Sequence, residues 1–128
     1  MTPTRLATAL RTHAQGLYCL EAAADLFIAQ SWLHRADFTS KFISVTPSLV
    51  DGKAMAIVDW PSAITALDTG DLPCSGGEQR MLRITASIAD GIPVDLRDSL
   101  TGIDDHKIQL LLRAVLHTSG QRPPPQAP

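Results

Sequence analysis

The sequence predicts a mostly α fold: a single-domain helical bundle of about five helices around a central N-terminal helix, with at most one short β-ribbon. Apolar residues recur every three to four positions along most of the chain, which is the spacing of a helix face. Only one run, Ala54 to Val58, reads as a strand. The chain is 45% hydrophobic but only 5% aromatic, so small and branched aliphatic side chains must supply most of the core. At 128 residues a domain buries about two-thirds of the surface its unfolded chain exposes. Residues 1–120 are therefore expected to form one domain that needs no disulfide or metal.

The first element is a helix that Thr4 can cap. Its seam runs through Leu6, Leu10, His13, Leu17, Leu20, Ala24, Phe27 and Ser31, as one long helix or as two halves joined near Gly16. From Leu17 to Leu33 a second apolar face appears at Cys19, Ala23, Leu26 and Leu33, so this stretch is expected to be nearly encircled by the rest of the domain. Cys19 then belongs to the core. Asp37 opens a short helix through Ile43, and Thr46-Pro47-Ser48 with Asp51-Gly52 breaks the chain. The strand Ala54 to Val58 has two candidate partners, Phe42 to Thr46 in a hairpin or Ile92 to Leu96.

Asp59 or Ser62 starts the next helix and Gly70 ends it. Ser75-Gly-Gly-Glu78 has the spacing of a capping box, and Met81, Leu82, Ile84, Thr85, Ile88 and Ala89 follow at helical intervals before Gly91 and Pro93. A short helical turn fits Val94 to Leu100. Asp104 caps a last helix whose Ile108, Leu111, Leu112, Val115 and Leu116 fall at offsets 0, 3, 4, 7 and 8, and Gly120 closes it. The remaining 121–128 is a Pro-rich tail expected to be disordered.

Charge excludes some functions. A formal net charge of −2 lacks the broad positive footprint of a sequence-independent nucleic-acid binder. No stretch reaches the near-continuous apolar length of a membrane span, and Met1 to Arg5 does not resemble a secretory signal, so a cytoplasmic protein without membrane contact is expected. Cys19 and Cys74 form no disulfide framework and no paired metal knuckle. His13, His34, His106 and His117 show no zinc-ligand spacing, so neither metal nor other cofactor is expected. Glu21 and Asp25, four apart, share one helical strip and read as a solvated acidic face. Trp32 and Trp60 read as core covers or interface anchors.

The sharpest candidate site lies around Ser75. The amides of Gly76 and Gly77 at a helix N-terminus, with Arg80 and Arg83 further along, suit a phosphate or a partner's carboxylate, although Glu78 opposes an anion. Cys74 stands just before the same helix, where the dipole favours a thiolate and hence a reactive thiol. Ser75-Gly-Gly-Glu-Gln-Arg80 resembles the signature motif of ATP-binding-cassette ATPases, and Thr101-Gly102-Ile103-Asp104 is similar to that family's D-loop. The resemblance implies a nucleotide contact through Ser75, Gly76 and Gly77. It departs from the family in having no phosphate-binding Gly-x-x-x-x-Gly-Lys-Ser/Thr: Gly52-Lys53 has Pro47 and Ala54 at the flanking positions. Val94-Asp95-Leu96-Arg97-Asp98 also lacks the apolar strand that precedes the family's acidic pair.

Over residues 17 to 120 the chain also resembles a group of uncharacterised actinobacterial helical proteins. That likeness rests on Cys19-Leu-Glu-Ala-Ala-Ala-Asp-Leu26, Val58-Asp-Trp60, Leu72 to Glu78 and Val94 to Asp98, and it implies a cytoplasmic bacterial domain and no particular activity. With no catalytic constellation in the residues, the expected function is a non-catalytic helical interaction or regulatory module that binds a protein partner or a second copy. The alternatives are a nucleic-acid-binding regulator presenting Gln79, Arg80 and Arg83, and a phosphate or nucleotide binder using Ser75 to Arg83.

Overall fold

A computed structural model describes residues 1–121. The proposed tail lies, from residue 122 onward, outside the described residues. The chain runs through α1 (Pro3–Ala14), α2 (Tyr18–Ile28), a short 3-10 turn (Ser31–His34), α3 (Ala36–Phe42), β1 (Ile43–Pro47), β2 (Ala54–Val58), α4 (Trp60–Thr69), α5 (Gly76–Asp90), α6 (Leu96–Leu100) and α7 (Asp105–Thr118). The fold is mostly α with one short antiparallel ribbon. Five of these helices are ten residues or longer, and α2 is the central one, packing against α1, α5 and α7.

Local chemistry sets the boundaries. Thr2, and not Thr4, caps α1: its hydroxyl accepts from Arg5 N at 3.2 Å, leaving Pro3 in the first helical position, where a missing N–H costs nothing. Gly16, at φ +89°, ends the run, so the N-terminal pattern forms two helices. Asp59 caps α4 through Ser62 N, and Asp104 caps α7 through Lys107 N. At the far end of α7, Gly120 N bonds to His117 O and Gln121 N to Leu116 O, closing the last turn around a left-handed glycine.

The ribbon takes the hairpin partner. Ile43 faces Val58 and Pro47 faces Ala54, while Ile92 to Leu96 forms no strand. Asp59 N to Phe42 O at 2.7 Å and Ser48 N to Lys53 O at 2.8 Å extend the ladder at both ends. β2 lies on α1, burying Ala56 completely. The outer edge of β1 is open, and Pro47, which has no N–H, removes a donor from it.

All the Phe and Trp residues gather in one cluster. The rings of Phe27 and Phe38, Phe27 and Trp60, Trp32 and Phe38, and Phe38 and Phe42 lie with centroids 5.2 to 5.4 Å apart, so Trp32 and Trp60 are core residues. A second cluster joins Ala22 and Leu26 of α2, Met81 and Ile84 of α5, and Leu111 and Ala114 of α7. Between them Gln30 donates to Leu26 O and to Thr85 Oγ1, both at 3.0 Å, and accepts from Trp32 Nε1 at 3.2 Å. Thr85 is fully buried and donates to Met81 O, so this polar bridge through the core is satisfied.

Three placements depart from the sequence reading. Leu17 to Leu33 is not one encircled helix: α2 stops at Ile28, and Leu17 is 57% exposed in the bend before it. Cys19 is exposed, not core. By helical angle it shares the face of the buried Ala22, Ala23 and Leu26, but in the first turn of α2 that face is left open. The third departure is the rotation of α7. Its inward side is Leu111 and Ala114, flanked by Leu110 and His117, while Leu112 and Val115 are each 53% exposed. The methyl group of Ala114 lets α7 approach α2 closely, and this contact overrides the larger apolar face.

Candidate functional site

The capping box predicted at the start of α5 is present. Ser75 Oγ accepts from Glu78 N at 3.2 Å, and the Glu78 carboxylate accepts from Ser75 N at 3.1 Å. These bonds hold the Glu78 carboxyl below the ordinary carboxylate range. Ser75 and Glu78 thus close on each other, leaving the amides of Gly76 and Gly77 at the positive end of the helix.

Two cations lie over those glycines. A Cβ at Gly77 would stand 3.7 Å from Lys107 Nζ, and one at Gly76 would stand 4.0 Å from Arg80 Nη1, which also lies 3.4 Å from the corresponding point on Gly102. Lys107 comes from the first turn of α7 and is held by Asp104 at 2.8 Å. No local signal in the sequence marks it as a neighbour of Gly77, because the approach is made by tertiary packing. Arg83 points elsewhere, to Asp68 of α4 at 2.6 Å. The structure therefore brings Ser75, Gly76, Gly77 and Arg80 together, adds Lys107 and separates Arg83. A cleft of about 380 Å³ opens alongside, with Trp32, Ser75, Glu78, His106 and Lys107 in its walls. Chemically it offers amide and ammonium donors to an anion, set against the fixed carboxylates of Glu78 and Asp104.

Cys74 is half-buried beside this helix start. Burial pushes its thiol up, and the Glu78 carboxylate pushes it further, outweighing the opposing pull of Arg35 and Arg83. Both effects disfavour the thiolate, the nucleophilic form. Arg35 is engaged nearby: it forks onto Asp37 at 3.0 and 2.6 Å, donates to Pro73 O at 2.7 Å and lies 4.8 Å above the Trp32 ring.

The acidic strip of α2 is a pair of clamps. Glu21 accepts from His117 Nε2 of α7 at 2.9 Å and from Gly16 N at 3.0 Å; Asp25 pairs with Arg11 of α1 at 3.1 Å. Each carboxylate ties α2 to a different helix. Among the described residues no group of three or more His, Cys, Asp or Glu side chains is placed to hold a metal ion.

The rotation of α7 creates the other candidate surface. Ile108, Leu112, Val115 and Leu116 occupy one angular sector outside the core, with Leu112 and Val115 more than half exposed. The sequence signalled this stripe but not its direction. Comparison with protein-family models, curated proteins and solved structures returns no match.

Proposed function

We propose that this chain is a non-catalytic helical interaction module that associates with a second copy of itself through the outer face of α7. The observation that carries the reading is the exposure of Leu112 and Val115 on a well-formed helix. Ile108, Leu112 and Leu116 form an i, i+4, i+8 ridge symmetric about Leu112. Two copies packed antiparallel about a two-fold axis set the Ile108 end of one ridge against the Leu116 end of the other, the self-complementarity an isologous contact requires. Leu49 and Val50 are also exposed, but they are two residues at a hairpin tip, without a helix to hold a repeated surface.

A single ridge offers less than the roughly 800 Å² per partner of a stable dimer, so the association is concentration-dependent. Light scattering across a dilution series tests this. The average mass should rise with concentration for the native protein and stay at the monomer value for Leu112→Glu. A native protein that is monomeric throughout the series contradicts the reading.

A second reading concerns the start of α5. The positions of Lys107 and Arg80 over Gly77 and Gly76 favour contact with a phosphate or carboxylate group there. A rise in melting temperature with phosphate or ATP that Lys107→Ala abolishes would support it, and no response to either would remove it.

A further inference from the structure

We draw no further inference here: the strongest candidate, the apolar tip of the β1–β2 hairpin where Leu49 and Val50 stand fully exposed, carries none, because nothing in the structure shows what covers it.

Discussion

The Glu21 carboxylate on α2 meets His117 Nε2 on α7 at 2.9 Å, across 96 positions of sequence, and takes a second hydrogen bond from Gly16 N. One side chain therefore fixes both the bend between α1 and α2 and the last turn of α7. Its carboxyl is held below the ordinary range, first by the His117 hydrogen bond and then by that from Gly16. Asp37, Glu78 and Asp104 are lowered too, each first by a hydrogen bond: from Arg35, from Ser75 N and from Lys107.

All four shifts have one sign for stability. A carboxyl with a lower pKa folded than unfolded contributes stability that is fully present above the unfolded value and disappears as pH falls through the folded value. The contribution of these groups to the melting temperature should be level down to about pH 5.5 and should fall progressively on further acidification. Glu21→Gln should show a shallower acid slope than the native protein in thermal melts across that range.

Ser75→Ala removes the hydroxyl that accepts from Glu78 N, and urea denaturation should report a loss of about 1 kcal/mol. Ser75→Gly should cost only a few tenths, since glycine is nearly as good an N-cap. Equal losses in the two variants would mean that the hydroxyl is not the stabilising group.

Ala114 is 5% exposed at the contact between α7 and α2. Ala114→Leu forces the helices apart and should destabilise by about 1 to 3 kcal/mol. The substitution Val115→Ala, one position away but facing outward, should change monomer stability by less than about 0.5 kcal/mol. Denaturant midpoints measured at low protein concentration separate the two.

Thiol labelling distinguishes the cysteines. Cys19 is exposed and should react with a disulfide reagent in a fast phase that Cys19→Ser removes. Cys74, half-buried with its thiol pushed up by burial and by Glu78, should react slowly in the native state and rapidly in urea.

Much of this architecture is legible locally. Ser75 with Glu78, Gly70, Gly91 and Asp104 act through hydrogen bonds within a few residues, so the sequence carries their signals directly. The strand at Ala54 to Val58 is likewise legible, although the choice between its two candidate partners is made by the hairpin ladder. The direction of α7 is not. Its offsets of 0, 3, 4, 7 and 8 mark an apolar face, but the inward side depends on the fit of Ala114 against Ala22 and Leu26. Lys107 over Gly77 and His117 on Glu21 are also consequences of packing, since each pair joins distant segments. Cys19 follows the helical period and is nevertheless exposed, because the period marks a face of α2 and not how far along it that face is covered.

The central claim is that the outer face of α7 packs on a second copy, and cross-linking reads this most directly. In a Cys19→Ser, Cys74→Ser background, Leu112→Cys places one thiol at the centre of the ridge. Mild oxidation should convert it largely to a disulfide-linked dimer, whereas Arg97→Cys on α6, also exposed, should remain monomeric under the same conditions. Equal cross-linking at both positions, or none at Leu112→Cys at concentrations where light scattering detects a dimer, would contradict the account.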